Sequence, residues 1–149
     1  MSDHRRETIL ENIKTTLEAV TSLSTASIQR WNHRGNPTVT IPTIVIASGR
    51  EEKERMTPQM ICRFSVFIDV YFRQDDTNAA LDTDTLLNAL LLDIEKALSA
   101  NHTLTGACEN LIERAVSPFE VVDQPPQCGM TLEYEVLYRH KETDPSLKS

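Results

Sequence analysis

Residues 61–73 read ICRFSVFIDVYFR. Cys62, Phe64, Val66, Ile68, Val70 and Phe72 fall on one side of an extended chain at period two, while Arg63, Ser65, Asp69 and Arg73 fall on the other. A strand with that pattern buries one face of a sheet and leaves the other to water, as antiparallel sheets with helices on one side do. Shortly after it comes LLNALLLDIEKAL, residues 86–98, with apolar groups at helical spacing. The two stretches together imply an α+β fold: a mostly antiparallel twisted sheet of about four to five strands with two helices packed on one face.

Working outward from this junction, Leu87, Leu91, Ile94 and Leu98 stack into one stripe flanked by Leu86, Leu90 and Ala97, and that stripe is the face expected to lie on the sheet. The helix is expected to span residues 78–100, with caps offered by QDDTN before it and a stop at Asn101 and His102. Leu81 and Leu92 do not join the stripe. They point to a common flank among Asn88, Glu95 and Lys96, either as apolar groups left for another subunit or as isolated surface leucines.

Upstream, Ile9, Leu10, Ile13, Leu17 and Val20 predict a first helix over residues 5–20, capped by Ser2 or Asp3. TASIQRWN is rich in strand formers, HRGNPTVTIP is interrupted by Gly35, Pro37 and Pro42, and TIVIAS reads as a short buried strand. GREEKERMTP, residues 49–58, is dense in charge of both signs and is expected to be an exposed, mobile hairpin loop. Downstream, ENLIERAVSPF follows Gly106 as a strand. In the closing strand CGMTLEYEVLYR, Cys128, Met130, Leu132, Tyr134, Val136 and Tyr138 again occupy one face. Pro125 and Pro126 mark the linker between them as a loop, and the polar tail KETDPSLKS is expected to fray.

The 149 residues suit a single domain over 1–149, with a polar tail from about residue 141. Twenty-two acids against fifteen bases give a formal charge of −7, which argues against a partner held mainly through its phosphates. The start, MSDHRRETILENI, has no apolar run behind its basic residues, so a protein of the cytoplasm is expected. Cys62, Cys108 and Cys128 are odd in number and far apart, unlike a disulfide framework.

Chemistry-bearing patterns are weak. His33, His102 and His140 with Cys108 lack the spacing of a zinc site, and Asp75, Asp76, Asp82 and Asp84 suit the positive end of a helix better than a Mg²⁺ site. No G-x-S-x-G or glycine-rich phosphate loop occurs, so neither an enzyme nor a cofactor is expected. Trp31 with Arg30 and Arg34 hints at a nucleic-acid surface, but one aromatic among few bases is a weak signal and a partly buried tryptophan is the favoured account.

The order of elements carries a resemblance. Ile41-Pro42-Thr43-Ile44-Val45-Ile46, the helix end Leu91-Leu92-Asp93-Ile94-Glu95-Lys96-Ala97-Leu98, Leu104-Thr105-Gly106 and the close Val136-Leu137-Tyr138 resemble the tail terminator proteins of long-tailed bacteriophages, the lambda minor tail protein U-like family. The resemblance covers nearly the whole chain and implies a non-enzymatic virion protein, made in the host cytoplasm and placed at the neck of the tail. It implies a homohexameric ring on the head-proximal end of the tail tube. The ring's partners would be the tail tube protein and a head-neck connector protein, with DNA passing through the lumen unbound. Another neck or tail completion ring protein is the near alternative, and a small-ligand-binding α+β domain the distant one. For lateral contacts the candidates are Arg63, Ser65, Phe67, Asp69 and Tyr71 on the outer sheet face, with Leu81 and Leu92 on the helix. For docking on the tube they are Arg50, Glu51, Glu52, Lys53, Glu54 and Arg55, although a mixed charge run is also what a solvated turn looks like.

Overall fold

The computed structural model describes residues 4–23, 26–31, 42–72, 83–121 and 127–148. Its element order is α1 (Arg5–Glu18), a 3₁₀ turn (Thr21–Leu23), β1 (Ser27–Arg30), β2 (Thr43–Met56), β3 (Gln59–Phe72), α2 (Thr83–Ala100), β4 (Asn110–Val121) and β5 (Gln127–Lys141). The strands form one sheet in the order β1-β2-β3-β5-β4, antiparallel throughout except for the short parallel pair β1–β2. The expected α+β class holds.

One core unites the layers. Ile9, Leu10, Ile13 and Leu17 of α1 and Ile94 and Leu98 of α2 are buried in the same cluster as Cys62, Phe64, Val66 and Ile68 of β3 and Leu132, Tyr134, Val136 and Tyr138 of β5. Both helices therefore cover the face that the alternation of residues 61–73 marked as apolar. Leu87 is also buried and Leu90, Leu91 and Ala97 are partly so, as the helical stripe required.

Three expectations need correction. The charged run 49–58 is not a loop: β2 continues through it to Met56, pairing with β3 one to one from Glu51 onward, and only Thr57 and Pro58 turn. The charged residues are poor strand formers taken alone, yet residues 59–64 of β3 need a ladder partner on that side, and such context outweighs propensity. The C-terminal tail is not frayed. Lys141 N–H donates to Leu147 O at 2.9 Å, and Arg5 N–H to Pro145 O at 3.0 Å, so residues 142–148 fold back onto the start of α1. Finally, α1 is capped by His4, whose Nδ1 accepts from the Arg6 N–H at 3.0 Å, and the helix ends at Glu18. Ser2, Asp3, residues 78–82 and the acids Asp75, Asp76 and Asp82 lie outside the described residues.

The connection from α2 to β4 is tightly wound. Leu104, Thr105 and Gly106 all adopt positive φ (49°, 59° and 85°), which is unfavourable for the first two. Leu104 is fully buried, and Asn101 Oδ1 accepts from the Thr105 N–H at 2.9 Å, so packing and one side-chain bond hold the strained pair.

Candidate functional site: the hairpin arm and the open sheet face

The site begins with a bulge. Across β2–β3 the register passes from Ser48 opposite Val66 to Glu51 opposite Phe64, so Gly49 and Arg50 together face Ser65. The extra residue reverses the alternation of β2. Ile44 and Ile46 point to the helices before it, and Glu51 and Lys53 do so after it, opposite Phe64 and Cys62. Gly49 is required here. A Cβ on it would sit 2.6 Å from Phe67 Cε2, because that aromatic ring lies across the bulge on the helix-free face. The Gly49 carbonyl accepts from Arg6 Nη2 at 2.9 Å, which ties α1 to the bulge.

Under the bulge the inward charges build a polar cluster. Glu51, with a side chain only 10% exposed, accepts a short hydrogen bond from the Tyr138 hydroxyl and lies 3.4 Å from Arg6 Nη1 and 4.0 Å from Lys53 Nζ. The Arg6 guanidinium also sits over the Phe64 ring, 4.9 Å from its centroid. His140 is buried. Its Nδ1 lies 2.7 Å from Lys141 O, which can only accept, so Nδ1 carries the proton and Nε2 is left to accept from Lys53 Nζ at 3.2 Å. Burial, then the Glu51 carboxylate, push the Tyr138 hydroxyl far above its ordinary range. Burial, then Lys53, hold the His4 imidazole below its usual 6.5, with Arg6 acting the same way and Glu51 opposing. These groups satisfy one another, so the cluster fastens α1, β2 and β5 together. No reading of composition pointed to it. Period-two continuation of the closing strand past Tyr138 would have put His140 inside, but the bulge that turns Glu51 and Lys53 inward has no local signal beyond Gly49.

The candidate docking residues thus divide. Arg50 and Glu52 are open to solvent and pair loosely with each other at 3.4 Å, and Glu54 is exposed. Arg55, with a side chain 68% exposed, contacts Glu142 at 2.6 Å. Glu51 and Lys53 are committed to the cluster. The candidate lateral residues divide as well: Arg63 is exposed and Phe67 half-buried on Gly49, while Asp69 accepts from Thr131 Oγ1 at 2.7 Å. Tyr71 is buried along with Thr43 and Val45 on the same face, so it is not an open aromatic anchor as expected. Leu92 is 53% exposed on α2, and Leu81 lies outside the described residues.

His102 is exposed, while Cys108 is buried and donates to His102 O at 3.5 Å; burial pushes the Cys108 thiol up to about 11. His33 is outside the described residues, and among those described no three His, Cys, Asp or Glu side chains gather to hold an ion. No described helix is long and apolar enough to cross a membrane. A shallow groove along α1, lined by Glu7, Thr8, Glu11, Asn12 and Thr15, has its two acids held by Arg30 at 3.0 and 2.7 Å.

No family model matches the sequence, and no curated protein matches it. Among solved structures, a chain from the virion of a native gene transfer agent (GTA) particle is similar over 84% of this chain and 90% of its own length. The identity is 11% and the TM-score 0.46, a likeness too slight to carry an argument about role.

Proposed function

We propose that this protein is a phage tail terminator, a non-enzymatic subunit that closes into a six-membered ring on the head-proximal end of the tail tube. The ring stops tube growth and offers the surface to which the filled head attaches. The observation that carries this reading is the order of elements. Helix, short strand, the strand opening T-I-V-I with its charged continuation, long strand, leucine-rich helix and closing strand pair occur here in the order on which the resemblance to tail terminators rests.

The physical argument concerns closure. Tube subunits stack through head-to-tail contacts that never close, so ending the tube requires a subunit that matches it on one side, differs on the other, and closes laterally on itself. A rigid folded body suffices, with no chemistry. The charged, half-exposed face with Arg63 and Phe67, the exposed Leu92 and the arm bearing Arg50, Glu52, Glu54 and Arg55 are surfaces such a subunit would use. The formal charge of −7 suits a lumen through which DNA slides without sticking. The tail tube protein and a head-neck connector protein are the partners on its two faces.

The test is a set of tails assembled without this protein. Overlong tubes lacking heads are expected in electron micrographs, and addition of purified protein should restore the length. Tails of normal length in its absence would remove the terminator reading.

A further inference from the structure

Two stretches of the sheet's perimeter carry strand backbone paired on one side only. β4 ends the strand order, and β1 covers β2 only from Thr43 to Ile46, so among the described residues 47–56 of β2 pair with β3 alone. Such edges are templates for another strand. Because β2–β3, β3–β5 and β5–β4 are each antiparallel, β2 and β4 run in opposite directions. A second copy set beside the first in the same orientation therefore brings its β2 against the first copy's β4 as an antiparallel pair. The helix layers stay on one side.

We propose that copies of this chain join head to tail through this junction, with residues 112–114 of β4 on one copy facing residues 54–56 of β2 on the next. The inference rests on the ring reading and names the contact that would build it. Side chains match in this register. Met56, 53% exposed, and Ile112, half-buried, both lie on the helix-free side and meet as an apolar pair. Arg55 and Glu113 both lie on the helix side, opposite Met60 and Tyr134 of their own sheets, and meet as opposite charges. Glu54 shares the helix-free side with Arg114, which reaches Glu135 at 3.2 Å there, and these again have opposite sign. Opposite charges across a strand pair favour it, and like charges disfavour it.

The same charges disfavour the twofold alternative. Pairing β4 with its own copy about an axis through this segment sets Glu113 against Glu113 or Arg114 against Arg114. Beyond the matched segment each edge is blunted: β2 bulges at Gly49 and Arg50, the β4 bulge at Arg114 ends the match, and Pro118 has no N–H to donate. These features confine pairing to the short matched segment and work against indiscriminate strand addition.

The test uses the full chain with Met56→Cys and Ile112→Cys together. Within one molecule β2 and β4 are three strand spacings apart, about 14 Å, beyond the roughly 7 Å that a disulfide spans, so a bond between them must join two copies. Mild oxidation should give a ladder of multimers ending at the ring, with each single-cysteine variant stopping at dimers. Arg55→Glu and Glu113→Arg should each weaken assembly about tenfold or more, and the double reversal should restore it. Rings seen by native mass spectrometry that neither cross-link nor respond to the reversals would overturn the edge junction and leave the ring reading standing. A protein that stays monomeric at every concentration and beside tail tubes would overturn both.

Discussion

Replacing Glu51 with alanine tests whether the cluster beneath the bulge holds the arm to the body. Glu51 accepts from the hydroxyl of Tyr138, a residue with no exposed surface, and lies 3.4 Å from Arg6. Its loss leaves the Tyr138 hydroxyl without its acceptor, which costs about 1–3 kcal/mol for a buried donor. The ion pair adds only about 0.5–1 kcal/mol, because more than a quarter of the Arg6 side chain is exposed and water screens it. The sum is about 1.5–4 kcal/mol, which for a chain of this length lowers the melting temperature by roughly 3–15 °C. Tyr138→Phe removes the donor while leaving Glu51 its cations, and should cost only about 1 kcal/mol. Because the two changes break the same bond, the double variant should cost less than their sum by about 1 kcal/mol. Denaturant titrations followed by circular dichroism measure all three. A Glu51→Ala variant within about 0.5 kcal/mol of the parent, or additive losses in the double variant, would refute the account.

Other consequences are as direct. His4 has its pKa held below the usual 6.5, so the unfolded chain takes up the proton first. Its contribution to stability is therefore full above pH 7 or so, declines as pH falls through 6.5, and levels off below the folded-state value. Burial and the nearby Lys53 charge disfavour the imidazolium, and a protonated Nδ1 can no longer accept from the Arg6 N–H. His4→Asp, which caps without titrating in that range, should remove this part of the slope in melting temperature between pH 7 and 5, while an unchanged slope would clear His4 of it. Thr105→Gly relieves a β-branched residue at φ 59° and should raise stability by about 0.5–1 kcal/mol by denaturant titration, with no gain meaning the turn is not strained. Leu92→Glu should leave the monomer's melting temperature within about 2 °C yet weaken ring formation in light scattering, and equal assembly would remove Leu92 from the interface. Cys108, buried and pushed up to about 11, should react with iodoacetamide at pH 8 far more slowly than in the denatured chain.

What the sequence determined by itself was everything governed by local periodicity. The alternation of residues 61–73 settled which face of β3 is buried, and the spacing of Leu87, Ile94 and Leu98 settled which face of α2 covers it. A strand's side chains alternate and a helix's recur every turn whatever the partner. What only the tertiary structure decided were features created by contacts between distant segments. The run 49–58 reads as a loop until residues 59–64 demand a ladder partner, and then it becomes a strand. The bulge at Gly49 and Arg50 turns Glu51 and Lys53 inward, onto Arg6 from 45 residues upstream of Glu51 and onto Tyr138 and His140, each 87 residues downstream of its partner. The burial of Tyr71 and the ordering of residues 142–148 against α1 belong to the same class. Whether a charge lies in water or in a paired cluster depends on what the fold brings beside it, and one inserted residue in a ladder is enough to exchange the two.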